Sequence, residues 1–156
     1  MKKSAFYLAL LTFPVLFSCS QGGSENTSSA DTDSLLSQQC FVAVDNEDTA
    51  NLNIKTLSSG KVSGDLSINY KDKGKNDGQV VGKFKGDTLF VDYTFKIGTE
   101  NKTIYKNPLA FLKKDGKLIL GVGQIQTTLG RSFFVKGKPI SFEKGRFTFA
   151  PVACKK

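Results

Sequence analysis

The sequence predicts an all-β domain, a small antiparallel up-and-down barrel of about eight or nine strands. Apolar and polar residues alternate with a period of two, most clearly over residues 66–70 and 89–97. Such alternation is typical of strands that turn one face to a core and the other to water. Glycine-rich turns interrupt the alternating runs roughly every 8 to 12 residues, a spacing typical of sandwiches and barrels.

Glycines within the predicted strands favour closure of the sheet. Glycine inside a strand is unfavourable unless a bend requires it, and Gly64, Gly82, Gly121 and Gly123 occupy such positions. Tight coiling favours a closed barrel, which also has no exposed edges. The predicted strands cover residues 41–44, 51–57, 62–71, 78–85, 88–97, 103–113, 117–124, 132–136 and 146–152. The aromatic side chains expected to fill the barrel are Phe84, Tyr93, Phe95, Phe111, Phe134, Phe142 and Phe149.

The first 19 residues have the layout of a bacterial secretory signal that ends in a cysteine. Lys2 and Lys3 precede an apolar stretch over residues 5–17. This stretch is shorter than the roughly 20 residues of a membrane-spanning helix. Residues 16–19, Leu-Phe-Ser-Cys, resemble the lipobox of bacterial lipoproteins, and the resemblance implies lipidation of Cys19. We predict a signal peptide over residues 1–18 and a lipid anchor in the outer membrane, a plain secretory signal being the alternative.

The segment after Cys19 is predicted to be a tether. Residues 20–39 are mostly small, polar or acidic, and Leu35 and Leu36 are the large apolar exceptions. Such a composition buries too little apolar surface to offset the entropy of ordering. We therefore predict a lipidated N-terminus and flexible tether over residues 19–39 and one barrel domain over residues 40–156, a usual domain size.

Two cysteines stand near the ends of the predicted domain. Cys40 and Cys154 would lie in a compartment that permits disulfides, and a bond between them would close a loop of more than 100 residues. The alternatives are two free thiols or a metal pair. The chain has no histidine, which excludes a Cys/His zinc site, and two thiolates alone are too few ligands. We expect a structural disulfide.

The hairpin motifs carry a family resemblance. Residues 62–70 have the pattern V-x-G-x-L-x-I-x-Y, residues 77–82 the pattern D-G-x-V-x-G, and residues 86–95 the pattern G-D-T-L-F-x-D-Y-x-F. These motifs resemble those of small Bacteroides-type (Bacteroidota) envelope lipoproteins, which also carry a cysteine near each end. The resemblance implies an envelope location and a barrel fold, and it implies no activity. A more distant architectural likeness is to calycin-type barrels, the lipocalin and avidin architecture.

The same resemblance suggests sites of O-glycosylation. Envelope proteins of the Bacteroides type receive O-glycans at Asp-Ser/Thr-apolar sequences, and this chain has such sequences at Ser34 and Thr49. Thr88 stands in a similar sequence, but a hairpin turn that enters a strand explains it more simply. Ser34 is the better candidate because the predicted tether should be exposed.

Charge is distributed unevenly along the chain. Residues 51–156 contain 20 basic residues against 8 acidic ones, a net charge of +12, whereas residues 20–50 contain six acidic residues and no basic one. Such asymmetry indicates either a solvated surface or an anionic partner. The expected partners are an anionic glycan, lipopolysaccharide or an acidic protein, and not nucleic acid. The simpler interpretation, which we favour for the outward lysines themselves, is that they keep the barrel soluble: Lys55, Lys71, Lys83, Lys85 and Lys96.

The sequence predicts neither an enzyme nor a cofactor. It lacks histidine, a G-x-S-x-G motif and a phosphate-binding loop. Asp92 and Glu143 would serve as a glycosidase pair only if the fold brought them together. The cluster of Asp45, Glu47 and Asp48 is interpreted as an acidic turn, with calcium binding as the alternative, and no metal is predicted.

The leading functional hypothesis is a lipid-anchored, non-catalytic binding or interaction module of the cell envelope. One alternative is a lipocalin-like carrier that holds a small apolar ligand inside the barrel. The other is a protein inhibitor of the lysozyme-inhibitor type, since such inhibitors are also small disulfide-tied barrels.

Overall fold

The computed structural model describes residues 33–155, which form a closed antiparallel barrel with an external hairpin. The strands are β1 (Leu35–Asp45), β2 (Asp48–Leu57), β3 (Lys61–Tyr70), β4 (Gly74–Lys85), β5 (Thr88–Ile97), β6 (Tyr105–Lys114), β7 (Lys117–Leu120), β8 (Ile125–Thr128), β9 (Arg131–Phe134) and β10 (Thr148–Val152). Eight of them close the barrel in the order β1-β10-β7-β6-β5-β4-β3-β2, and β8 pairs with β9. The predicted small up-and-down barrel is confirmed.

Short hairpin turns connect the strands and determine which residues share an end of the barrel. Between β6 and β7, Asp115 and Gly116 have φ angles of 51° and 75°. Two successive positive φ angles are typical of the turns whose twist matches that of paired strands. Because consecutive strands run in opposite directions, the turns after β2, β4 and β6 lie at one end of the barrel. The start of β1 lies at that same end.

The inward side chains form one apolar core, as the alternation of period two predicts. Phe111 and Phe149 are fully buried and meet edge to face, with ring centroids 5.6 Å apart. Phe134 and Phe142 were expected in this core but are half-buried and lie outside it. Phe147, which the alternation did not single out, is buried instead. The remaining members are Phe41, Ala43, Ala50, Leu52, Ile54, Val62, Leu66, Ile68, Val80, Leu89, Val91, Tyr93, Phe95 and Leu118.

Two of the predicted strand glycines mark points of close backbone approach. A Cβ atom on Gly64 would lie 1.9 Å from the carbonyl oxygen of Asn53, and one on Gly82 would lie 1.9 Å from that of Phe90. Only glycine fits where a neighbouring strand comes so close. At Gly121 the atoms nearest to such a Cβ belong to side chains instead. Gly64 and Gly82 therefore permit the tight coiling that closure of the barrel needs.

Strand β1 begins five residues before the predicted domain boundary at Cys40. Residues 35–39 pair with residues 54–57 of β2, although their side chains are exposed. The composition of this segment predicted a tether because it offers little apolar surface. Its backbone hydrogen bonds to β2 do not depend on that surface. The predicted signal peptide, Cys19 and residues 19–32 lie outside the described residues.

The last strand completes the barrel through a short seam. Strand β10 pairs with β1 at three positions, Cys40↔Val152, Phe41↔Pro151 and Val42↔Ala150. Beside this seam Cys40 and Cys154 form the expected disulfide, with Cα atoms 5.2 Å apart. The bond thus ties β1 to the residues that directly follow β10.

Other strand boundaries also differ from those predicted. Strand β4 begins at Gly74, four residues before the predicted strand over residues 78–85, so only a tight turn separates it from β3. Strand β7 ends at Leu120, and the chain then leaves the barrel as the β8–β9 hairpin. The predicted strand over residues 132–136 belongs to this hairpin and not to the barrel. Within residues 33–155 no helix has the length and apolarity to span a membrane.

Candidate functional site at the basic end of the barrel

The interior of the barrel is occupied by side chains. The hydroxyl of Tyr93 donates a hydrogen bond to the backbone carbonyl of Leu66 at 3.0 Å, and the ring of Tyr93 stacks on Phe95 with centroids 4.5 Å apart. Burial raises the pKa of the Tyr93 phenol above its ordinary value, so this hydroxyl remains a hydrogen-bond donor. Groups that can meet a partner from solution therefore lie on the outer wall and at the barrel ends.

Lysines concentrate at the end of the barrel that holds the turns after β2, β4 and β6. We call this region the basic end. The carboxylates in or beside those turns are Asp33, Asp87 and Asp115. The opposite end, with the turns after β1, β3 and β5, combines lysines with about as many carboxylates. The basic end is defined by Lys55, Lys61, Lys83, Lys85, Lys113, Lys114 and Lys117.

Two lysines of the basic end face each other across neighbouring strands. Lys61 of β3 is directly opposite Lys83 of β4. Side chains in such positions point to the same face, and like charges placed there are destabilising. The ammonium of Lys85 lies over the ring of Phe90, 5.8 Å from its centroid. The wall therefore presents a close group of cations beside an aromatic ring.

Several lysines nearer the opposite end have carboxylate partners. Lys71 pairs with Glu47, and Lys75 lies 3.2 Å from Asp77. Lys96, also on the outer wall, is directly opposite Asp77. By contrast, the ion pairs found among residues 33–155 include none of the lysines of the basic end. Its cations are thus available to an external anion.

The chain enters the barrel at the basic end and is held there by Asp33. Its carboxylate accepts a hydrogen bond from the backbone N–H of Ser59 at 2.9 Å and others from the hydroxyls of Ser59 and Ser58. These hydrogen bonds, together with the positive charge of Lys61, lower the pKa of Asp33. The backbone carbonyl of Ser34 accepts a further bond from Ser58. Residues 33–34 are therefore fixed against the turn between β2 and β3.

The β8–β9 hairpin covers part of the outer wall and leaves a groove beneath it. Pro108 and Ala110 point outward from β6, yet both are buried. The groove has a volume of about 340 Å³, and its apolar side chains include Val81, Phe90 and Phe133. It opens beside Lys83 and Lys85 of the basic end. Sequence reasoning missed this groove because nothing in the alternating pattern indicated that β8 and β9 leave the barrel.

The acidic turn near the opposite end binds an arginine distant in sequence. Nε of Arg146 lies 2.6 Å from a carboxylate oxygen of Asp45, and Nη2 lies 2.6 Å from one of Asp48. Asp48 also accepts the backbone N–H of Lys71. This arrangement fits the predicted acidic turn and leaves its carboxylates occupied by cations. Among residues 33–155 no group of three potential metal-ligating side chains is present.

The acidic turn should make stability depend on pH. Hydrogen bonds from Lys71 and Arg146 lower the pKa of Asp48 below 3.8. A lowered pKa adds stability above the unfolded value, and this contribution is lost as the pH falls through the folded value. We expect Asp48→Asn to unfold at lower urea concentration than the full wild-type chain at about pH 7, and this difference to shrink as the pH is lowered towards about 2. A constant difference across that range would contradict this assignment.

The remaining predicted site residues lie apart from one another. Ser34 is exposed at the basic end, and Thr49 is half-buried in β2 near the opposite end. Asp92 points outward from β5, and one of its carboxylate oxygens lies 2.9 Å from the ammonium of Lys106. O-glycosylation of Ser34 and Thr49 remains a prediction from the resemblance.

These observations define the chain as a small antiparallel barrel, closed beside a disulfide and cationic at one end. Comparison with protein-family models, with curated proteins and with solved structures finds no match to this chain. Its function is therefore inferred from the charges and contacts of the described residues.

Proposed function

We propose that this chain is a lipid-anchored, non-catalytic module of the bacterial outer membrane that binds an anionic partner through its basic end. The partner is an anionic glycan, lipopolysaccharide or an acidic protein. The N-terminal signal, the lipobox resemblance and the likeness to Bacteroides-type envelope lipoproteins support the location. The concentration of lysines that form no ion pair within residues 33–155 supports the binding.

The opposition of Lys61 and Lys83 is the single observation that carries this proposal. A directly opposed pair of like charges costs stability, and an opposite charge at either position would add roughly 0.2 to 1 kcal/mol. The apolar core gains nothing from the pair, because both side chains are exposed. An anion placed between them would remove the repulsion. The pair is therefore better explained by binding than by folding.

The geometry of the sheet suits a ligand with several negative groups. Neighbouring strands are about 4.8 Å apart, and alternate residues on one strand are about 6.6 Å apart. Lys83 and Lys85 have the second spacing, and Lys61 lies one strand away from Lys83. A polymer or headgroup with repeated phosphate, sulfate or carboxylate groups can contact all three. Such binding should weaken as salt increases, since exposed charges are screened.

Lys83→Glu should separate binding from stability. We expect this full-chain variant to unfold at slightly higher urea concentration than the wild type, because the introduced carboxylate would face Lys61 as an ion pair. We expect its affinity for dextran sulfate, measured by calorimetry at low salt, to fall at least about fivefold. A destabilised or misfolded protein would not show both results together.

Lys102→Glu is the matched control for this change. Lys102 is exposed in the loop between β5 and β6, at the opposite end, and the substitution alters the net charge by the same amount. We expect Lys102→Glu to bind dextran sulfate nearly as well as the wild type. Equal losses in the two variants would mean that net charge alone governs binding, and the basic end would then have no special role.

A further inference from the structure

We propose that the anion met by the basic end is the headgroup layer of the membrane that holds the chain's own anchor, so that the barrel stands with this end on the lipid. The inference rests on the proposed function and names the partner within it. It combines two independent features of the fold: the place where the chain enters the barrel and the distribution of lysines around that place.

The entry point is fixed by hydrogen bonds. Asp33 binds Ser58 and Ser59 in the turn between β2 and β3, and Lys61 follows that turn directly. The chain that leads back to Cys19 therefore leaves the barrel next to a lysine of the opposed pair. If the chain entered the barrel at the opposite end, the end nearest the anchor would be the one where lysines and carboxylates are about equal in number.

Chain length restricts how far the basic end can lie from the membrane. Thirteen residues, 20–32, separate Cys19 from Asp33, and even fully extended they span at most about 45 Å. A strand such as β4, with 12 residues, is about 40 Å long, less when tilted. The opposite end could reach the membrane only if the linker ran back along almost the whole length of the barrel, whereas the basic end can reach it without such extension. The basic end is the part of the domain placed to reach the lipid.

Charge complementarity specifies what the basic end meets there. Lysines near an anionic bilayer are attracted within a Debye length, about 10 Å at 0.1 M salt. Seven lysines on three adjoining turns can approach one plane together, because those turns lie at the same end of the barrel. A basic surface adds to the hold of an acyl anchor. An anionic lipid surface is therefore the occupant that both the charges and the entry point favour.

Lysine footprinting of the anchored protein tests this orientation. The full chain, purified with its lipid, would be reconstituted into vesicles of phosphatidylcholine alone or with added phosphatidylglycerol, and treated with a membrane-impermeant acylating reagent. We expect modification of Lys61, Lys83 and Lys114 to fall at least about fivefold in the anionic vesicles relative to the neutral ones. Modification of Lys73 and Lys102, at the opposite end, should be equal in both.

Variants and a soluble polymer distinguish binding to the membrane from binding to a soluble anion. The double change Lys61→Gln with Lys83→Gln should abolish the protection of Lys114, whereas Lys73→Gln with Lys102→Gln should leave it intact. Equal modification in the two kinds of vesicle would overturn the membrane assignment. If the same preparation still bound dextran sulfate, the proposed function would stand with a soluble partner. Failure to bind either the anionic vesicles or dextran sulfate would contradict the proposed function as well.

Discussion

Replacement of both Cys40 and Cys154 by serine is expected to lower the free energy of unfolding by about 4 to 5 kcal/mol. The two residues are 114 positions apart, so their bond restricts almost the whole unfolded domain. The bond also lies beside the β1–β10 seam, which consists of three residue pairs. Equilibrium unfolding of the full chain in urea, with and without the double substitution, measures the effect.

Reductant provides the control for this substitution. Dithiothreitol should destabilise the wild-type chain by about the same amount and should leave the double-serine variant unchanged. A loss below about 1 kcal/mol would contradict the account, because the seam would then hold without the covalent link.

Phe111→Ala is expected to cost about 3 to 5 kcal/mol. Phe111 is fully buried, it meets Phe149 edge to face, and it faces Leu89 across the β5–β6 pair. Truncation would remove this buried surface and leave a cavity that the closed sheet cannot easily fill. Urea unfolding of the full chain again measures the change.

Phe133→Ala is the matched control for Phe111→Ala. Phe133 lies on the external hairpin and is 40% exposed. The same truncation should therefore cost less than about 1 kcal/mol. A similar loss in the two variants would mean that the hairpin, and not only the barrel interior, belongs to the cooperative core.

The barrel could be predicted from sequence because its signals are local. Alternation over residues 89–97 and the Asp115-Gly116 turn each specify a short piece of backbone, and consecutive hairpins assemble into an up-and-down sheet. The disulfide followed from the positions of Cys40 and Cys154 at the domain ends and from the lack of histidine. Each of these predictions depends only on residues that are close together in sequence or on the number and position of one residue type.

Features that depend on distant contacts could not be predicted in this way. The pairing of residues 35–39 uses backbone groups, about which composition says little. Arg146 reaches Asp45 and Asp48 across about a hundred positions. The covering of Pro108 by the external hairpin depends on where the chain leaves the sheet. Local patterns contain none of this information.

Only part of the candidate site could be predicted from the sequence. The excess of lysine over residues 51–156 indicated either a solvated surface or an anionic partner, but five outward lysines were treated as equivalent. The register separates them: Lys83 faces Lys61, whereas Lys96 faces Asp77 and Lys71 binds Glu47. The alternating direction of the strands then places Lys83 and Lys61 at the end where the chain enters, with the other lysines of the basic end. Neither distinction can be made without the pairing of strands.

The anion-binding role of the basic end is best tested by binding of the full chain to dextran sulfate, compared with uncharged dextran over a range of salt concentrations. The account predicts binding to the sulfated polymer alone, with an affinity that falls steadily between about 50 and about 200 mM salt as the lysines of the basic end are screened. Equal binding to the two polymers, or an affinity for dextran sulfate that salt does not change, would contradict it.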